Sequence, residues 1–128
     1  AMMFSAPTSF FVQPRNVVGG HLIACFFALS VDYFVIEDDF QRPAQYKYEF
    51  IPKWVAVAVV PACASAVMAK VGLIHPPAAA ASVIYIAGKA QVKNLGWLFV
   101  ATPVLLNCVI CLVGGIFVNN LDPTRSYP

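Results

Sequence analysis

Five polar residues stand in or beside long apolar runs: Arg15, Asn16, His21, His75 and Asn107. Inside hydrocarbon such groups are costly unless a partner satisfies them, so each marks a packing contact or a site. His21 and Asp32 are eleven positions apart, three turns of one helix, and share a face with Cys25 and Ala28. That face is small and polar, suited to line a cavity, although a satisfied core histidine is the competing reading for His21. Asp32 reads by itself as an interfacial carboxylate near a helix end. Arg15 and Asn16 follow Pro14, a sensible first helical residue. An arginine there commonly snorkels to the headgroups. Asn107 lies mid-run, with Cys111, Gly114 and Gly115 along its face, where an interhelical hydrogen bond is the usual role.

The most unusual local feature is His75-Pro76-Pro77 followed by Ala78-Ala79-Ala80-Ala81. Two prolines start a helix but cannot continue one, and alanine is the strongest helix former with almost no bulk. A helix that begins within a membrane aims the positive end of its dipole at whatever precedes it, which suits an anion. Pro76 and Pro77 lack N–H groups, so His75 and other helices would have to supply donors. The structural alternative is a break that lets alanine-rich backbone pack closely.

Cys25, Cys63, Cys108 and Cys111 all lie inside apolar runs, where thiols act as small hydrophobes. Cys108 and Cys111 have a C-x-x-C spacing, but only Val109 and Ile110 intervene and no second Cys or His pair sits nearby. Packing is therefore expected rather than a metal or redox centre. The chain has no Gly-rich phosphate loop, nucleophile elbow or carboxylate pair at acid–base spacing, and it is not expected to be an enzyme.

The elements that must hold these residues are membrane helices. Of the 128 residues 60% are apolar and 11% charged, and mean hydropathy is +0.75. A soluble domain carries roughly 25% charged residues, so this chain cannot cover a water-facing surface. A net charge of +2 does not suggest nucleic acid as a partner. Apolar stretches at about 16–36, 54–74 and 95–118 each approach the ~20 residues needed to cross ~30 Å of hydrocarbon. Residues 76–88 form a shorter apolar piece, expected as a short broken or re-entrant helix. Residues 37–53 hold most of the charge, and their aromatics suit a loop on the headgroup layer. Gly20, Ala24 and Ala28, and likewise Ala58, Ala62 and Ala66, recur every fourth position. Both stripes are expected to pack inside the bundle, with an oligomer interface as the alternative. Ala1 to Phe4 reads as the last turn of an apolar helix whose beginning is missing.

Gln13-Pro14-Arg15-Asn16-Val17-Val18-Gly19-Gly20-His21, then His75-Pro76-Pro77-Ala78, then Asn119-Asn120-Leu121 with Tyr127-Pro128, resemble the HPP family of integral membrane proteins. The resemblance covers essentially the whole chain. It implies a compact helical membrane domain, in the plastid envelope or thylakoid membrane of a eukaryote or the inner membrane of a bacterium. Some plastid members of that family are assigned to nitrite transport. Where the family often has Gly-Ala-Thr after His-Pro-Pro-Ala, this chain has Ala79-Ala80-Ala81.

The expected fold is thus an all-α membrane bundle of three spanning helices plus a short broken helix, with the family's first helix largely missing. The expected function is a transporter or channel-like protein for a small anion such as nitrite, with Arg15, Asn16, His21, His75 and Asn107 sharing one polar substrate site. The alternative is a non-catalytic subunit of a photosynthetic or respiratory membrane complex. No cofactor or metal is expected, although a complex subunit would contact lipids or pigments, with His21, His75 and Asn107 as conceivable pigment ligands. Membrane lipids and a homo-oligomer or larger assembly are the expected partners.

Overall fold

A computed structural model describes residues 2–34, 52–123 and 127. The charged loop expected at 37–53 lies outside these residues, apart from Pro52 and Lys53. Among the described residues every regular element is helical. A single turn, α1 (Met2–Ser5), and a 3-10 turn at Phe10–Val12 lead into α2 (Pro14–Phe34). Then come α3 (Lys53–Val71), α4 (Pro76–Ala87), the single turn α5 (Ala90–Lys93) and α6 (Leu106–Asn119).

Among the described residues three helical segments are long and apolar enough to cross a membrane: α2, α3 and Val100–Asn119, which includes α6. At 21 residues α2 reaches about 31 Å. The 12 residues of α4 reach about 18 Å, short of a full span. Proline and glycine set this difference. At the end of α3, Gly72 takes the left-handed conformation (φ 70°, ψ 30°), and the N–H of Leu73 donates back to the carbonyl of Met68 at 2.9 Å. Glycine accepts that conformation without the Cβ penalty, which is why helices so often stop on it. His75 is extended, and Pro76 and Pro77 occupy the first turn of α4.

The third apolar stretch is not one smooth helix, as its composition suggested. Val100–Leu105 is a wide, π-type stretch in which Thr102 is extended (φ −136°, ψ 117°). Thr102 precedes Pro103, whose ring disfavours the α conformation for its neighbour and breaks the ladder there.

Packing fixes the helix directions. Ala24 of α2 meets Ala64 and Met68 of α3 and Ala78 of α4. Further along, Cys25, Ala28 and Leu29 of α2 meet Ala56 and Val60 of α3, with Tyr85 and Ile86 of α4. Rising numbers in α2 therefore pair with falling numbers in α3 and rising numbers in α4. So α3 runs antiparallel to α2, and α4 runs parallel to it. Gly20, Ala24 and Ala28 are buried in this seam, as the small-residue spacing leads one to expect. Ala58, Ala62 and Ala66 are exposed instead. The face that α3 buries is Ala56, Val60, Ala64 and Met68, the adjacent stripe with larger side chains. A third cluster, Met3, Val12, Val17, Cys108 and Tyr127, ties α6 to the start of the chain.

The outward surface is apolar. Phe26, Phe34, Trp54, Trp97, Ile110 and Phe117 are all more than half exposed. So much exposed aromatic and aliphatic surface would be an aggregation hazard in water and is stable against lipid. The chain is an integral membrane protein.

Candidate functional site

The His-Pro-Pro break brings two histidines from different elements together. The rings of His21 on α2 and His75 at the cap of α4 lie 5.2 Å apart between centroids, tilted by 47°. Gly20 makes the approach possible, because a Cβ there would stand 2.8 Å from the Cβ of His75. Each ring is held by its Nδ1. His75 Nδ1 donates to the carbonyl of Phe11 at 2.6 Å, and His21 Nδ1 donates to that of Val17 at 2.8 Å. A carbonyl only accepts, so both Nδ1 atoms carry hydrogen, and in its neutral form each ring presents Nε2 as an acceptor. His75 lies outside the three spans and is buried. Burial pulls its pKa below the ordinary 6.5, opposed by the bond to Phe11 and helped by His21.

Both rings line a cavity of about 200 Å³, together with Met3, Phe4, Val17, Pro77, Asn107, Cys108 and Cys111. The sequence placed His21, His75 and Asn107 in one polar site, and all three are on this wall. Asn107 accepts a long contact from the Cys111 thiol at 3.7 Å. Asn16 is elsewhere. It is buried, and its side-chain amide donates to the carbonyl of Phe10 at 2.8 Å, with a longer contact to that of Ile74 at 3.5 Å. It thereby ties the 3-10 turn and the break together without reaching the cavity. Arg15 is exposed and is not among the lining residues. A one-residue step along a helix rotates a side chain by about 100°, and here it leaves Arg15 exposed and Asn16 buried against the break.

The start of α4 is poorer in donors than a helix dipole alone would suggest. Pro76 and Pro77 have none, and the N–H of Ala78 already donates to the carbonyl of His75 at 2.9 Å. Side chains, rather than a fan of backbone amides, must meet any ligand here.

A second polar cluster lies toward the other end of α2. Lys93 on α5 forms an ion pair with Asp32, and both side chains are largely buried. The Lys93 ammonium also stands 5.5 Å from the centre of the Tyr85 ring. From the sequence, Asp32 reads as an interfacial carboxylate near a helix end, with no partner assigned to it. The available signal was the carboxylate itself, since an acid inside a span needs a cation.

The polar residues near the C-terminus are structural. Asn119 donates from Nδ2 to the carbonyls of Met3 at 3.0 Å and Gly115 at 2.8 Å. Asn120 and Tyr127 exchange two bonds through the Asn120 amide and the Tyr127 backbone. The Tyr127 hydroxyl donates to the carbonyl of Val12 at 2.7 Å. These contacts anchor α6 and the tail against the segment that positions His75. The four cysteines are free thiols, and no group of three His, Cys, Asp or Glu among the described residues is arranged to hold a metal.

The family model for the HPP transmembrane region matches residues 1–128. This chain belongs to the HPP family. Its histidine pair, proline break and C-terminal clamp are thus features of an HPP transmembrane region in three dimensions. Among similar proteins, a transmembrane protein of Dictyostelium discoideum is 27% identical over 127 residues, covering 99% of this chain and 40% of its own length. A second transmembrane protein of that organism is 28% identical over 133 residues, covering 99% of this chain and 37% of its own. The HPP chain therefore spans about two fifths of the length of these relatives. No solved structure matches it.

Proposed function

We propose that the chain is a non-enzymatic transporter or channel-like protein for a small anion, with nitrite as the first substrate to test. The observation that supports this reading is the cavity among the helices, whose apolar walls carry two imidazoles and one amide. At about 200 Å³ it holds the equivalent of about six or seven waters at ~30 Å³ each. That suits an ion of a few atoms and excludes a pigment ring, so His21, His75 and Asn107 are read as substrate contacts rather than pigment ligands. Arg15 and Asn16 are not part of the proposed site. The full chain, purified and returned to lipid vesicles, is expected to raise nitrite uptake above that of protein-free vesicles, in a saturable manner. Uptake indistinguishable from protein-free vesicles at every nitrite concentration would overturn the proposal.

A second reading, self-association or membership of a larger membrane complex, is favoured by the outward position of Ala58, Ala62 and Ala66 on α3. Small residues facing outward give lipid little surface to grip and let another helix approach closely. Crosslinking in intact membranes, read by mass spectrometry, is expected to join this face to a second copy or to another protein. Recovery of uncrosslinked monomer alone would contradict that reading.

A further inference from the structure

The described residues lining the cavity include no lysine, arginine, aspartate or glutamate. With both Nδ1 hydrogens committed to backbone carbonyls, the neutral histidines offer the cavity only the lone pairs of Nε2. An anion entering that space is repelled by these two acceptors and finds a neutral donor in the Asn107 amide. One proton changes the sign of the site: on Nε2 of either ring it creates an imidazolium whose new N–H points a donor and a charge at the ligand. A second proton is opposed, because the other ring is only 5.2 Å away in a medium that screens charge poorly.

From this geometry we propose that the cavity takes up its anion together with one proton shared between His21 and His75, so that anion movement through the protein is proton-coupled and electrically neutral. This rests on the reading of the cavity as an anion site and adds what drives and regulates it. Among the described residues the other titratable groups facing the pair are the thiols of Cys108 and Cys111 on α6, with Cys25 one turn beyond His21 on α2. A neutral thiol adds no charge. The Tyr127 hydroxyl is engaged by the carbonyl of Val12. Arg15 is exposed, and Lys53, Cys63 and Lys70 lie on the exposed surface of α3. Among the described residues no fixed cation at the cavity wall replaces the proton. Asn107, which cannot titrate, supplies an amide donor to the same ligand.

The test uses the full chain in vesicles that contain a pH-sensitive dye, with the membrane potential clamped by a potassium ionophore and protein-free vesicles run in parallel to subtract leakage of the free acid. An inward nitrite gradient is applied with equal pH on both sides. The expected result is a protein-dependent acidification of the interior matching the nitrite taken up, mole for mole. The initial rate is expected to rise roughly tenfold for each unit by which pH falls while the pair is still mostly neutral. Changing the clamped potential should leave the rate unaltered. In a double variant, His21→Gln with His75→Gln, any remaining nitrite movement is expected to be independent of pH. Nitrite uptake by the wild-type protein that carries no protons and follows the potential would overturn the coupling while leaving the anion site intact. Absence of protein-dependent uptake at every pH would overturn both.

Discussion

A Cβ placed on Gly20 would lie 2.8 Å from the Cβ of His75 and 3.2 Å from the carbonyl oxygen of Leu73. Neither atom is the far end of a flexible side chain, so the break between α3 and α4 would have to move as a whole. Gly20→Ala is therefore expected to destabilise the protein by about 1–3 kcal/mol, the usual cost of overpacking. Gly19→Ala is the control, because its Cβ would meet the Leu73 side chain, the nearest methyl at 2.8 Å, which can rotate away. Unfolding in detergent should rank Gly20→Ala well below Gly19→Ala. Equal stability of the two variants would contradict the close approach.

The Asp32–Lys93 pair gives a prediction of a different kind. Both side chains are largely out of water, with Lys93 at 5% and Asp32 at 17% exposure. Removing one partner leaves a buried charge without its counterion, so Asp32→Leu or Lys93→Met alone should cost about 3–5 kcal/mol. The double variant should recover a large part of that loss, since it buries no charge. A double-mutant cycle on unfolding measures the coupling, and additive losses would show that the two residues act independently.

Protonation of His75 links stability to pH. Its pKa is lowered in the folded protein, so between that value and the unfolded value near 6.5 the unfolded chain binds the extra proton. The stabilisation is thus complete above about pH 6.5 and is lost as pH falls through the folded pKa. Thermal unfolding of the wild type should show this loss on acidification, and His75→Gln should show a smaller one. Identical pH profiles for the two proteins would remove His75 from the account.

Much of the architecture was legible because membrane solvation makes composition decisive. The three long apolar stretches and the short helix after His75-Pro76-Pro77 follow from hydropathy, length and proline placement. The kink at Thr102 was not legible in the same way. A lone Pro103 in an apolar run is compatible with either a bent or a broken helix, and neighbouring packing selects between them. The outward turn of Ala58, Ala62 and Ala66 was missed for a similar reason. Two stripes on one helix each suit a packed face, and the larger Val60 and Met68 won the inner position. At the site, His21, His75 and Asn107 were grouped because polar groups in lipid must find one another. Arg15 and Asn16 are grouped with them as costly polar groups at a helix start, but Asn16 is satisfied by the carbonyls of Phe10 and Ile74 and Arg15 is exposed. Lys93 and Asp32 are 61 positions apart, and nothing in the linear sequence connects them.

The central claim is that the anion passes the His21–His75 cavity. The most direct measurement is nitrite uptake into vesicles by Cys111→Phe, which fills the cavity from its α6 wall, set beside Cys63→Phe on the exposed surface of α3. With both variants shown to be folded by their thermal transitions, Cys63→Phe is predicted to move nitrite at the wild-type rate and Cys111→Phe to lose nearly all uptake. A folded Cys111→Phe protein that moves nitrite as fast as the wild type would place the pathway elsewhere and contradict the account.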